Sequence, residues 1–386
     1  MRYRCTEDNA VRVSEVGLGT YCLAGVYGPK DENQFKRVLR RAFELGVTFF
    51  DVAPVYGSAE EVVGDVLGDV RKEIVISTKV AADLGAGLSC SFDHVIASCE
   101  RSLKRLNTDH IDLFQIHFDD GKTPAAEVVR AFDELKASGK IRACGIGHVA
   151  LQRAREYLCQ GSVSTVMGEL SAVGRRYYTK MLPVAKEGGA SYIGFSLTGR
   201  GVLTGAVESR EHLSKQDIRR IDALFAGQRV RSALRVRKRL AGMAEQIGAT
   251  AAQTGIRWAL SQERVVTGLV GPSSLEHLEE DLKVSAIDIP DQLLVEFEDF
   301  LSREESGLAE ALRREIASIL QQGPSGPDAV GEMIYAIEGL AELDLAPEAE
   351  LIPHIKTLMK LRSGCSDDTP SLDVIRNHLR RFIDAQ

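Results

Sequence analysis

The feature that most constrains this chain is an alternation of character along its first 271 residues. Short β-rich apolar runs recur at 13–21, 47–53, 74–80, 111–117, 141–147, 165–170, 191–197 and 265–271. Between them lie amphipathic stretches such as 32–45, 92–106, 124–138 and 151–158, each long enough to be the crossover helix of a parallel βαβ unit. Eight such units close into a barrel, so the expected fold is α/β, an eight-stranded (β/α)8 TIM barrel. Ahead of it, Tyr3–Cys5 and residues 11–13, around Asp8-Asn9, read as a small hairpin placed to plug the barrel's bottom. The long interval 203–262 predicts an excursion loop followed by helices over 230–247 and 251–260. Trp258 falls in an apolar helical run and is expected in the core.

After about residue 303 the strands stop, which predicts two domains: a barrel over 1–303 and a C-terminal α-helical extension over 304–386. The extension reads as four amphipathic helices, with Ser325-Gly326-Pro327 and Thr369-Pro370 as helix starts. Its apolar residues recur at helical spacing: Ile316, Ile319 and Leu320, then Met333, Ile334 and Ile337, then Leu372, Ile375, Leu379 and Phe382. Such faces need burial, against the barrel or in a homo-oligomer; a lid or a protein partner is the functional alternative. Composition narrows the classes further. With 44% hydrophobic and 27% charged residues the chain has ample core material, and a net charge of -7 gives no global attraction for nucleic acid or an anionic membrane. The seven cysteines form no CxxC pair, so neither a zinc site nor a disulfide framework is suggested, and no metal is expected. Met1-Arg2-Tyr3-Arg4 leads straight to Glu7-Asp8-Asn9 without an apolar stretch, so a cytoplasmic location is expected.

Barrel enzymes place their chemistry at the C-terminal ends of the strands. Asp51, Lys79 and His117 end the second, third and fourth runs, and Tyr56 lies five residues beyond Asp51. Neighbouring strands bring these side chains to one rim. Such a set suits, among other reactions, one in which negative charge grows on a substrate oxygen, as on a carbonyl that accepts hydride, and a proton is needed near pH 7. Tyr56 is the expected donor. An ammonium from Lys79 beside it would favour phenolate and bring proton exchange nearer working pH. Asp51 would balance Lys79, and His117 would orient the carbonyl by a hydrogen bond, a role whose removal typically costs about 3 to 4 kcal/mol of barrier. Each residue also has a plain structural reading: an Asp–Lys ion pair, a strand-end histidine, a packed tyrosine ring.

Phe50-Asp51-Val52-Ala53-Pro54-Val55-Tyr56-Gly57 with Glu60, then Ser77-Thr78-Lys79-Val80, then Asp112-Leu113-Phe114-Gln115-Ile116-His117 resemble the aldo-keto reductase family in its own motif order. The resemblance, over about residues 11 to 300, implies a tetrad of Asp51, Tyr56, Lys79 and His117 that reduces an aldehyde or ketone. It implies NADP(H) as cofactor, with NAD(H) as the alternative, held near Gly19, Thr20, Tyr21 and Asp51, with Phe195 stacked on the nicotinamide. The loop Ser196 to Gly205, with Leu197, Gly199, Gly201 and Leu203, matches the family's cover over the pyrophosphate. Gly271, Ser273, His277, Glu280 and Asp281 match its adenosine end. The family commonly holds the carboxamide with Ser-Asn after strand five and Gln after strand six. Here those places are Gly147, His148 and either Gly168 or Glu169. Tyr27, Val55, Phe118 and His148 are expected to line a pocket for a small carbonyl substrate. A basic stretch, Arg229, Arg231, Arg235, Arg237, Lys238 and Arg239, reads as a solvated face, or as a grip on a phosphate. Two rival functions remain open at this point: a cofactor-binding regulatory subunit with little turnover, and a dehydrogenase of a sugar or nucleotide-linked sugar.

Overall fold

The structure, a computed structural model, describes every residue except 29–30, 81–87, 215, 324–328, 347–349, 352, 356, 359–371 and 385–386. The expected helix starts at Ser325-Gly326-Pro327 and Thr369-Pro370 lie outside the described residues. The chain forms two compact units, Met1–Ala206 with Arg237–Leu294, and Val207–Val236 with Val295–Gln386.

In the first unit β1 (Tyr3–Cys5) and β2 (Arg12–Ser14) pair as an antiparallel hairpin. Eight parallel strands then close a barrel in sequence order: β3 (Val16–Gly19), β4 (Phe49–Asp51), β5 (Val75–Val80), β6 (Ile111–Ile116), β7 (Ile141–Gly147), β8 (Val163–Glu169), β9 (Ser191–Phe195) and β10 (Val265–Val270), which pairs back onto β3. The single run expected at 13–21 is thus two strands. Ser14 breaks it: its hydroxyl donates to the Val16 carbonyl at 2.7 Å and accepts from Thr48 N at 3.0 Å, turning the chain from hairpin to barrel. The buried Glu15 carboxylate fixes that turn through Arg4 (2.8 Å) and Arg257 (3.0 Å).

The connecting helices are α1 (Glu32–Glu44), α2 (Ala59–Leu67), α3 (Phe92–Leu106), α4 (Ala125–Ala137), α5 (Leu151–Leu158) and α6 (Arg176–Glu187), followed later by α7 (Gly227–Ile247), α8 (Ala251–Ser261) and α9 (Leu275–Leu282). α1 shows why they form: Asp31 accepts from Gln34 N as N-cap, and Phe35, Val38, Leu39 and Ala42 fall on one buried stripe. α8 opens with a Thr250–Gln253 capping box and carries the fully buried Trp258. Inside the barrel, Phe49, Val75, Leu113, Ala143, Met167, Ile193 and Leu269 form an apolar layer with Val11 and Val13, so the hairpin segment does seal the bottom. Alternation along a strand then sends Asp51, Ser77, Gln115 and Glu169, two residues further on, to the same inner face.

The second unit contains α10 (Asp291–Gln322) from Val295 on, α11 (Ala329–Glu342) and α12 (Leu372–Asp384); residue 303 falls inside α10. All the apolar residues singled out in the tail belong to one cluster here, together with Ala223 of the excursion. These faces bury one another. The basic stretch is in part a solvated face, with Arg231, Arg235 and Lys238 exposed, and in part used internally. Arg229 is buried, pairs with Glu342 at 2.6 Å and covers the Tyr335 ring, while Arg235 pairs with Glu304 at 2.5 Å. No helix among the described residues is long and apolar enough to cross a membrane.

Candidate active site

The site is built on the ends of β4, β5 and β6. Thr20 clamps the start of the Tyr56 loop, its N–H and hydroxyl both donating to the Asp51 carbonyl at 3.1 and 3.0 Å. The loop turns through Tyr56 N donating to Ala53 O at 3.0 Å, and Gly57 takes a positive φ of 67°, which favours glycine. Beyond it, α2 is pinned to β5: the buried Glu60 accepts from Thr78 Oγ1 at 2.6 Å and from Arg105 Nε at 2.5 Å.

Lys79 is buried and all three of its ammonium protons are engaged. Nζ donates to Asp51 Oδ1 at 2.8 Å, to Asp51 Oδ2 at 2.7 Å and to the Val52 carbonyl at 2.8 Å. Burial pushes the Asp51 carboxyl up and the Lys79 ammonium down, and their mutual contact pulls each back. The Tyr56 hydroxyl lies 3.4 Å from His117 Nε2, and both residues are buried. The Lys79 ammonium stands 5.1 Å from the Tyr56 ring centroid. It does not draw the phenol toward phenolate as the sequence suggests. Burial, and next the Asp51 carboxylate, push the Tyr56 phenol well above its ordinary value, because the Lys79 charge is already matched by Asp51. Tyr56 therefore rests as an un-ionised hydroxyl. Burial, with help from Lys79 and His148, holds His117 down to about 2, so its imidazole is neutral throughout the working range. His117 Nδ1 is buried and has no partner among the described residues, an orphaned polar atom at the rim.

Aromatic rings surround this pair. Tyr21 meets Tyr56 edge-on at 5.1 Å, Phe118 stacks on His117 at 4.3 Å, and His148 sits 5.0 Å from Phe118 and 5.4 Å from Phe195. Burial holds His148 down to about 4. Of the residues matched to the cofactor, Gly19 and Gly271 face each other across β3 and β10, with the Gly19 carbonyl 3.9 Å from where a Gly271 Cβ would stand. The loop 196–205 holds Ser196, Gly199, Arg200, Gly201 and Gly205 at positive φ and folds into a cradle of tight turns, with Gly199 N donating to Ser196 O at 2.7 Å and Leu203 N to Thr198 O at 3.1 Å. Leu197 and Leu203 are buried, their side chains packed against Gly268 and Gly255. This cradle and the orphaned imidazole nitrogen fit a dinucleotide. In the segment that the resemblance matches to an adenosine end, Ser274 caps α9 by accepting from His277 N at 3.2 Å, and Ser273 Oγ lies 3.4 Å from His277 Nδ1. Glu280 accepts from Thr250 Oγ1 at 3.3 Å, and Asp281 is pushed up to about 7 by burial, with Glu280 adding to it.

The family model of the aldo/keto reductase family matches residues 15–301. The chain is an aldo/keto reductase family member. It is 30% identical over 294 residues to the aldo-keto reductase YhdN of Bacillus subtilis, covering 72% of this chain and 88% of that one. It is equally similar, over 306 residues, to an L-glyceraldehyde 3-phosphate reductase of Escherichia coli O157:H7, covering 73% and 87%. Among solved structures it resembles a glycerol dehydrogenase from Gluconobacter oxydans with a TM-score of 0.69 and 26% identity, covering 78% of this chain and 95% of that chain.

Among aldo/keto reductases this one departs where the nicotinamide carboxamide would sit. A Cβ on Gly168 would stand 2.3 Å from the Tyr177 ring and the Tyr192 hydroxyl, so that position faces outward. Glu169 is the inward residue, and its carboxylate pairs with Arg200 at 2.9 Å. His148, at φ 46°, follows β7 in the place of Asn. Sequence reasoning left Arg200 without a defined partner and Gln115 without a role. Strand alternation could have flagged the second, since Ser77 and Gln115 share the parity of Lys79 and His117.

Proposed function

We propose that this aldo/keto reductase interconverts a small aldehyde or ketone and its alcohol, with Tyr56 as proton donor and acceptor. The observation that carries the reading is the buried Tyr56 hydroxyl, 3.4 Å from His117 Nε2, on a loop anchored to the Lys79–Asp51 pair. A nicotinamide cofactor, when bound, supplies or takes the hydride. Phe195, Glu169 and His148 would hold its ring, the loop 196–205 its pyrophosphate, and Ser273, His277, Glu280 and Asp281 its adenosine end.

In the reducing direction His117 orients the carbonyl oxygen through Nε2. Tyr56 then releases its proton to that oxygen as negative charge develops there. The nascent phenolate needs a cation, and Lys79 is the buried one beside it; Lys79 would turn one of its N–H hydrogen bonds from Asp51 to the phenolate oxygen as Tyr56 gives up its proton to the substrate. Tyr56 and His117 are buried beneath the rings of Tyr21, Phe118 and His148, which strengthens these contacts. The cofactor reading is NADP(H) with weak discrimination against NAD(H), because no Lys or Arg occurs from Gly271 to Leu282 to meet a 2'-phosphate. The relatives' named substrates, a phosphorylated aldehyde and glycerol, support small polar carbonyls and alcohols run in either direction. The nucleotide-linked alternative loses part of its support, since Arg229 and Arg235 of the basic helix pair with Glu342 and Glu304.

A second reading has one specific observation in its favour: the Glu169–Arg200 pair at the carboxamide position would suit a subunit that holds cofactor and turns it over little. An aldehyde and ketone panel with NADPH and NADH, followed by loss of absorbance at the reduced nicotinamide band, decides between them. Turnover with any carbonyl supports the reductase; tight cofactor binding with none supports the regulatory reading.

A further inference from the structure

Below the rim, the barrel interior carries a second set of polar residues that the tetrad does not include. Ser77 of β5, Gln115 of β6 and Thr165 of β8 are all fully buried. Ser77 Oγ donates to Asp51 Oδ1 at 2.9 Å, Gln115 Nε2 donates to Ser77 Oγ at 2.8 Å, and Thr165 Oγ1 donates to Gln115 Oε1 at 3.4 Å. β7, which lies between Gln115 and Thr165, contributes Gly145 here. A Cβ at that position would stand 2.2 Å from Thr165 Oγ1 and 2.8 Å from Gln115 Oε1, so only glycine leaves room for the amide. Two residues earlier on β4, β5, β6 and β7, Phe49, Val75, Leu113 and Ala143 are apolar. Burying an amide and two hydroxyls above such a layer is unfavourable by several kcal/mol unless each finds its partner.

The donors and acceptors leave one arrangement. An amide NH2 can only donate, so Ser77 Oγ accepts from Gln115 and its single proton is left for Asp51. With the amide reversed, Ser77 would donate to Gln115 and Asp51 Oδ1 would lose a bond. Asp51 can only accept, so it takes the Ser77 proton and sets the direction of the amide, and Met167 Sδ, 4.0 Å from Gln115 Nε2, faces its second N–H. At the far end Lys79 has no spare proton, since Oδ1, Oδ2 and the Val52 carbonyl take all three. It reaches the Tyr56 oxygen only by letting one acceptor go. Oδ1 is the acceptor with a second donor among the described residues, Ser77, and so it stays hydrogen-bonded when Lys79 withdraws.

We propose that Ser77 and Gln115 are positioning residues, a directed hydrogen-bond chain that holds the Asp51 carboxylate in place and lets Lys79 transfer one of its bonds from Oδ1 to Tyr56. The inference rests on the reading of Tyr56 as proton donor. The titratable and charged groups facing this pair are Tyr56 from the loop after β4, Glu60 from α2, His117 after β6 and His148 after β7. Tyr21 and Tyr27 stand beside Tyr56, and Arg200 acts on His148.

The test uses the whole chain with NADPH and 4-nitrobenzaldehyde as probes. Ser77→Ala should slow single-turnover hydride transfer by about tenfold, the loss of one hydrogen bond to a charged group. In the cofactor-free protein, 13C NMR of the Asp51 carboxyl, assigned by its absence in Asp51→Asn, should show protonation about one pH unit higher in Ser77→Ala than in the wild type. Ser77→Thr restores the hydroxyl and should restore both readouts. Gln115→Glu, whose carboxylate competes for the Ser77 proton, should move both in the same direction as Ser77→Ala. Should Ser77→Ala fail to fold, Ser77→Cys, a weaker donor of similar size, is read in the same way. Wild-type rate and titration in the alanine or cysteine variant overturn the proposal, and so does a threonine variant no better than alanine, which would mean packing alone. Wild-type and Tyr56→Phe proteins run alongside separate the two claims: hydride transfer that does not depend on Tyr56 removes the underlying reading, whereas Tyr56-dependent transfer unaffected by Ser77 removes only this one.

Discussion

Replacing Lys79 by Met tests the buried pair on which the site stands. The methionine keeps the length of the stem and removes three hydrogen bonds of 2.7 to 2.8 Å, two of them to a carboxylate whose side chain is only 5% exposed. Asp51 is then left with Ser77 as its donor. Breaking a buried ion pair from one side leaves the other charge uncompensated, and the expected loss is about 3 to 5 kcal/mol. The sign of its pH dependence follows from the direction of the shift. Without Lys79 the folded-state pKa of Asp51 lies further above its ordinary value, so the folded protein binds the proton more tightly than the unfolded one. The variant's stability should therefore be best preserved at about pH 4 and fall as pH rises, leaving the full deficit at about pH 8. Adding Asp51→Asn removes the uncompensated charge, so the double variant should recover at least about 2 kcal/mol relative to the sum of the singles. The assay is urea unfolding followed by Trp258 fluorescence, since this one tryptophan is buried in α8 of the barrel unit. Additive losses that do not change with pH would refute the argument, because they would mean that Asp51 and Lys79 do not share a charge-balanced site.

Three further outcomes follow from the same structure. Gly145→Ala should destabilise the barrel by about 1 to 3 kcal/mol through its contact with Thr165 and Gln115, and Thr165→Ala should relieve part of that loss in the same Trp258 assay. Because His117 is held down to about 2, the pH profile of kcat/KM should show no limb near pH 6 to 7 from this histidine, while His117→Asn should lower kcat by about 10² to 10³ at every pH. Dissociation constants for NADPH and NADH, measured by quenching of Trp258 or by calorimetry, should differ by less than about a hundredfold, roughly 2.7 kcal/mol; a larger preference for NADPH would require a cation that the segment from Gly271 to Leu282 does not contain.

Much of this molecule is legible in the sequence because a barrel repeats one physical unit. Strands buried on both faces read as apolar runs, and the bounds of α3 and α5 coincide with the amphipathic stretches that predict them. Asp51, Lys79 and His117 are legible because a strand's end is a defined place in this fold. Other features depend on partners far away in sequence. The break at Ser14 rests on Thr48 and Val16, and the basic helix finds Glu304 and Glu342 only once the tail has folded. The state of the Tyr56 phenol is hidden for the same reason. Sequence placed an ammonium near Tyr56, but whether it acts on the phenol depends on Asp51 taking two of its three protons. Register decided between Gly168 and Glu169, and one residue is the difference between the inside and the outside of a strand.

The central claim is that Tyr56 passes the proton, and single-turnover hydride transfer from NADPH to a carbonyl in Tyr56→Phe tests it most directly. The substitution keeps the ring, with its contacts to Tyr21, His117 and Lys79, and removes only the hydroxyl. A fall of about 10² to 10⁴ in rate, with NADPH affinity unchanged, is the predicted result. The loss should not add to that of Lys79→Met, since both disable one proton-transfer unit. A Tyr56→Phe protein that transfers hydride at the wild-type rate would contradict the account.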